Sequence, residues 1–141
     1  MSRSGYSEDY GEDNPGLLDL YRHAVDRALQ GKRGQAFLKE MLAALDALPN
    51  KRLIADQFED ADGDVCALGS VGKARGLDMS KLEPGDNDNV GKLFGIARSM
   101  AAEIQFENDD DFCCREKSPE ARFARVREWV VSQIRQEDSN A

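Results

Sequence analysis

Asp60, Asp62 and Asp64 alternate along the chain as calcium ligands do, and a second acidic run, Asp109-Asp110-Asp111, follows further on. Tested as an EF-hand loop beginning at Asp60, the first run fails. Its sixth position is Val65 where the sharp turn needs glycine, and its twelfth is Val71 where calcium needs a bidentate glutamate. An exposed turn is the simpler structural reading. Carboxylates grouped in this way can also stand where phosphates would, and occupy the Lys/Arg groove of a nucleic-acid-handling protein. Asp60, Asp62, Asp64, Asp109, Asp110 and Asp111 are therefore the candidate partner-binding residues; plain solubility is the competing explanation for any acidic loop.

Nucleophiles and metal ligands are sparse. His23 is the only histidine, and on a helix it falls opposite the face carrying Leu17, Tyr21, Ala24 and Ala28, so it is expected in solvent. The three cysteines, Cys66, Cys113 and Cys114, are odd in number with two adjacent, which suits reduced thiols better than a disulfide framework. Without a second histidine they make a poor zinc set. The basic turn Gly31-Lys32-Arg33-Gly34 could touch phosphate but lacks the Lys-Ser/Thr pair of a P-loop. No catalytic set, metal or cofactor is expected.

A short pattern occurs twice, as Val71-Gly72-Lys73-Ala74-Arg75-Gly76-Leu77 and as Val90-Gly91-Lys92-Leu93-Phe94-Gly95-Ile96. The second copy has the cadence of a helix-turn-helix, with glycine at the turn and an apolar residue after it. Arg98, Ser99 and Gln105, helped by Arg33 or Arg122, are the residues that such a DNA-binding regulator would use. Glu103, Glu107 and the aspartates after them would repel phosphate, so direct nucleic-acid binding is the disfavoured alternative. The plainer explanation of both copies is a helix-ending turn between packed helices.

The chain has 141 residues, a net charge of −8, 40% hydrophobic and 33% charged residues, which fits one folded domain with a real core. Charge is segregated: residues 54–64 and 103–112 each hold five acids and no base. Arg22, Arg27, Lys32, Arg33 and Lys39 gather near the start, and Arg115, Lys117, Arg122, Arg125, Arg127 and Arg135 near the end. No apolar run is long enough to span a bilayer, and the first residues lack the apolar core of a secretion signal, so cytoplasmic residence is expected.

The elements that must position these groups are mainly helical. Residues 1–13 read as a loose acidic arm, 14–137 as a single helical domain and 138–141 as a tail. Asn14-Pro15 opens the first helix, with Leu17, Leu20, Tyr21, Ala24 and Ala28 as its apolar face and Gly31 as a left-handed stop. Phe37, Leu38, Met41, Leu42, Leu45 and Leu48 mark a second helix ended by Pro49, the two forming a hairpin. A small β-hairpin turning at Asp62-Gly63 is expected between Arg52 and Leu68. Short helices follow over about 67–75, 87–94 and 98–106. Ser118-Pro119-Glu120 caps a last helix whose stripe is Phe123, Val126, Val130 and Ile134, with Trp129 at its margin. The fold class is thus mainly α: a compact domain of about five or six helices with room for one small β-hairpin.

The stretch from Gly31 to Leu42, continuing through Ala44–Pro49 and Lys51–Ile54, resembles a family of uncharacterised small acidic phage and prophage proteins. Val65–Gly69, Ala74–Met79 and the opening Ser2–Tyr6 share that likeness, which covers nearly the whole chain. The resemblance carries no functional residue. It implies an accessory protein acting in the bacterial host cytoplasm, and it favours binding over turnover. The resulting expectation is a non-enzymatic inhibitor of a host protein with a basic or nucleic-acid-binding surface, such as a nuclease or CRISPR effector; oligomeric state is left open.

Overall fold

Gly31 is the whole of the link between the first two helices, α1 (Pro15–Gln30) and α2 (Lys32–Ala47). The computed structural model describes residues 3, 4, 15–83, 85–109 and 118–136. The remaining arm residues, the cap at Asn14, Asp110, Asp111, Cys113, Cys114 and the tail 138–141 lie outside the described residues, as does the side chain of Leu17. Gly31 is not the left-handed stop the sequence suggests: its φ and ψ of −68° and 164° are extended, and it serves as the N-cap of α2. Glycine is needed for proximity instead. A Cβ at Gly31 would sit 3.1 Å from the Arg27 carbonyl, and one at Gly34 only 1.9 Å from the Ala28 carbonyl.

Four further helices complete a mainly α fold among the described residues: α3 (Ala67–Arg75), α4 (Asn87–Phe94), α5 (Arg98–Asp109) and α6 (Pro119–Gln133). Helix α2 packs on α1, α3 and α6, and α5 packs on α1, α3, α4 and α6, so these two carry the core. Leu38, Met41 and Leu45 of α2 share one core cluster with Met100, Ala101 and Ile104 of α5, with Phe94 set edge-on to Phe37 at 6.2 Å. The α6 stripe is as expected: Phe123, Val126 and Val130 are buried, while Trp129 and Ile134 are half-buried at its margin.

The face of α1 is rotated from its sequence reading. Val25 and Leu29 are its fully buried residues, Tyr21, Ala24 and Ala28 are half-buried, and Leu20 is 69% exposed. The helix docks against both α2 and α5, and the groove between them selects a different arc of the helix from the one apolarity alone marks.

Local chemistry ends the helices where it should. Leu48 is extended because Pro49 excludes the helical conformation before it, and Lys51 Nζ donates to the carbonyls of Asp46 and Leu48. Ser118 accepts from the amide of Ala121 to cap α6. The repeated Val-Gly-Lys pattern is one helix-ending turn used twice. Gly76 and Gly95 are left-handed, with φ of 71° and 75°. The next amides, of Leu77 and Ile96, reach back to the carbonyls of Gly72 and Gly91 at 2.8 and 2.9 Å.

Between α2 and α3 the expected hairpin is reduced to its turn. Gly63 has φ of 83° and its amide donates to the Asp60 carbonyl, but one antiparallel bridge, Glu59 to Val65, replaces the strands. Helix α3 begins at Ala67, two residues past Val65, so the second arm has no length for a ladder.

Two bidentate pairs fasten α2 to its neighbours: Arg75 to Glu40, and Arg127 to Asp46. Hydrogen bonds from the two guanidinium groups hold both carboxyls below the usual carboxylate range. Groups depressed in the folded state add stability above their unfolded pKa and lose it as pH falls through the folded one. Between about pH 5 and pH 3, the wild type should therefore lose more thermal stability than an Arg75→Gln/Arg127→Gln double variant. Equal slopes in melting temperature against pH would show that the pairs are inert.

Candidate functional site

The acidic turn at residues 56–64 stands on a buried polar network that sequence separation hides. Arg3 donates from Nε and Nη2 to the two carboxylate oxygens of Asp109, each at 2.7 Å, and the two side chains are 2% and 0% exposed. The guanidinium lies 4.9 Å from the centre of the Phe58 ring, and its other nitrogen is 3.6 Å from Cys66 Sγ. Burial works against its charge, yet Cys66 and Asp109 together hold Arg3 above its ordinary pKa. Asp109 also accepts from Asn108 at 2.8 Å and from the backbone amide of Asp56 at 3.1 Å.

Asn108 extends the frame by accepting from the amide of Ala67, the first residue of α3, and donating to the carbonyl of Ile54. On the other side of Arg3, Asn87 donates to the carbonyls of Arg3 and Ser4 and accepts from Gln105. The N-terminal residues Arg3 and Ser4 are thus packed parts of the domain, 3% and 4% exposed, rather than members of a loose arm.

Above this frame the candidate residues separate by role. Asp62 is exposed at the tip of the turn. Asp60 is half-buried and turns its Oδ1 inward, accepting from the amides of Asp62 and Asp64. Asp64 pairs with Arg52 at 2.6 Å. Asp109, expected to face a partner, is the internal support. A carboxylate that accepts from Arg3, Asn108 and the Asp56 amide has no face left for a second molecule, and Asp110 and Asp111 lie outside the described residues.

Other carboxylates take the exposed places. Asp56 is exposed and is the one non-glycine residue with positive φ, 67°, among those described. Asparagine and aspartate tolerate that region better than other side chains, and the bond to Asp109 fixes it. Glu59 is exposed 3.9 Å from Lys73, whose Nζ also donates to the Gly63 carbonyl and ties the turn to α3.

Beside the turn is a cleft of about 310 Å³ with Phe58, Met79, Leu77 and Leu82 as apolar lining, Arg3 at its base, and Glu59 and Asp78 as its acidic members. Asp78 accepts from the hydroxyl and amide of Ser80, which keep its carboxyl below the usual range and charged. Sequence reasoning missed Asp78 and the cleft. The available signal was the acidic Asp78 next to a Met-Ser turn, but nothing local says that residues 77–82 lie against Phe58.

The DNA-reading set does not assemble. Arg98 is exposed and lies 3.3 Å from Asp88, and Ser99 is half-buried. Gln105 is 1% exposed, donating to Asn87 Oδ1 at 2.7 Å and to the Ala101 carbonyl, so it cannot reach a base edge. Glu103 does not repel phosphate either, being buried against Arg22 in a bidentate pair. Gly91 explains the tight corner between α4 and α5: a Cβ there would meet the Ile96 carbonyl at 2.7 Å.

His23 is exposed on α1, as its helical angle suggests, whereas Cys66 is buried and caps α3 by accepting from the Gly69 amide. Among the described residues no group of His, Cys, Asp and Glu is arranged to hold a metal ion, and no helix is long and apolar enough to cross a membrane. Among the described residues, fold and geometry together define a scaffold of six helices that holds an acidic turn beside a small, apolar-lined cleft. No protein-family model, curated protein or solved structure matches the chain.

Proposed function

We propose that this chain is a non-enzymatic accessory protein of phage type that binds a host protein with a basic or nucleic-acid-binding surface and inhibits it by occupancy. The binding face is formed by Asp56, Glu59 and Asp62 on the turn together with Asp78 across the cleft. A lysine or arginine of the partner would lay its aliphatic stem on Phe58 and Met79 and bring its charge to Glu59 and Asp78.

The observation that carries this reading is the fixed acidic turn. Its carboxylates sit on a backbone pinned by Asp109, Asn108 and Lys73, so little ordering entropy is lost when a cationic partner docks. The resemblance to small acidic phage proteins supplies the biological setting and is part of the proposal.

Capture from bacterial lysate with quantitative mass spectrometry tests it, comparing the wild type with an Asp56→Asn/Glu59→Gln/Asp62→Asn/Asp78→Asn variant. Four exposed charge contacts of about 0.2–1 kcal/mol each should amount to a loss of the specific partner between roughly fourfold and several hundredfold. Recovery of the same proteins in the same amounts by both would remove the acidic face from the account. A fluorescence-polarisation titration with duplex DNA at low salt should show no binding, and saturable binding there would restore the regulator reading.

A further inference from the structure

The basic turn Gly31-Lys32-Arg33-Gly34 takes no part in the acidic face, yet the fold builds on it. Two depressions share Lys32. One, of about 410 Å³, lies between α2 and residues 135–136 and is lined by Lys32, Gln35, Lys39 and Arg135. The other, of about 190 Å³, adds Arg27 and Arg33 at the α1–α2 corner. Five cations line the pair and no acidic residue lines either, in a chain whose total charge is −8.

Six cations elsewhere are neutralised. Arg22, Arg52, Lys73, Arg75, Arg98 and Arg127 each lie against a carboxylate. Among the described residues Arg27, Lys32, Arg33 and Arg135 form no ion pair. Gathering these four like charges with no described carboxylate beside them leaves a local positive field that favours an anion.

The corner is also held in shape. Gln35, 7% exposed, donates from Nε2 to the carbonyls of Leu29 and Gln133 at 2.8 and 2.9 Å. Its Oε1 accepts from the amide of Arg135 at 2.7 Å. One buried amide therefore fixes the ends of α1 and α6 to α2, and brings a cation from residue 135 beside cations from 32 and 39.

We infer that this corner is a binding site for a compact, multiply charged phosphate group. Its two adjoining depressions, lined by cations and sharing Lys32, suit a di- or triphosphate, whether free or carried by a nucleotide. The remaining surface is more negative than the chain's total and repels a long polyanion that runs past the corner, so a short ligand fits better than a nucleic acid.

Isothermal titration of the full chain with sodium tripolyphosphate at low salt tests the site, with ATP and a short DNA duplex as parallel arms. Tripolyphosphate and ATP should bind with similar affinity and the duplex not at all. Lys32→Gln/Arg135→Gln should weaken tripolyphosphate about tenfold or more, since each lost guanidinium or ammonium removes a charge-assisted contact. Lys81→Gln/Lys92→Gln, which removes the same charge at exposed positions outside the corner, should stay within about twofold, as long-range effects are screened. Circular dichroism melts verify that both variants fold. Failure of the wild type to bind tripolyphosphate, equal weakening in both variants, or tight duplex binding would each overturn the assignment, whereas much tighter binding of ATP that the corner variant also weakens would support it with a nucleotide as the source. None of these outcomes bears on the acidic face, whose residues the variants leave intact.

Discussion

Replacing Arg3 with alanine should cost about 3–5 kcal/mol of folding stability, because it leaves the Asp109 carboxylate buried without its counter-charge. Two nitrogens at 2.7 Å make the pair bidentate, and neither side chain retains meaningful contact with solvent. For a domain whose total stability is expected at about 5–15 kcal/mol, the loss is roughly a fifth or more of the whole. Urea denaturation should show it as a lowered midpoint, and a thermal melt as a fall on the order of 10 °C. Asp109→Ala should be comparable, because it strands the guanidinium instead.

The double replacement Arg3→Met/Asp109→Leu should recover most of the loss, since exchanging a buried pair for apolar groups of similar volume is often neutral. Its Asp56 amide would still lack an acceptor. That variant should therefore be stable but show weaker capture of a cationic partner, which separates the network's role in folding from its role in presenting the turn. A loss below about 1 kcal/mol in the Arg3→Ala protein would mean that the pair is wetter and weaker than its geometry indicates.

Gly69→Ala should destabilise the domain by about 2–3 kcal/mol, against the sign that helix propensity gives. Alanine in a helix interior is ordinarily favoured over glycine by about 1 kcal/mol. At this position a Cβ would stand 2.0 Å from the Phe58 carbonyl oxygen and 3.0 Å from Val65 Cβ. The Phe58 oxygen also accepts from the Cys66 amide at 3.1 Å, so relief of the clash pulls apart the base of the acidic turn. Denaturation should therefore register the substitution as a loss, and amide exchange should speed up at Cys66. A variant as stable as the wild type would show that residues 56–64 shift freely, and the claim of a pinned acidic turn would fall with it.

Much of the fold was legible because helix ends are settled within four or five residues. Pro49 and its extended neighbour, the left-handed Gly76 and Gly95, and the Ser118 cap all act through bonds to the adjoining turn. Gly31 misled because two reasons for glycine look alike in sequence: a left-handed backbone, which it does not have, and close approach to a carbonyl, which it does. The apolar face of α1 misled for a similar reason. Periodicity marks which residues can be buried, but the groove between α2 and α5 decides which are, and it left Leu20 outside.

The candidate site was legible only as composition. Two runs of carboxylates look equivalent as text, yet Asp62 meets water and Asp109 meets Arg3 across 106 positions of chain. The sequence by itself determined the mainly helical class, the helix ends and the turn at Asp62-Gly63, because those follow from backbone sterics and hydrogen bonds between near neighbours. Tertiary structure alone decided which charges are supports and which are surface, and it joined Arg135 to Lys32 through Gln35. The free energy of a charge depends on what surrounds it, and in a folded chain those surroundings come from residues far away in sequence.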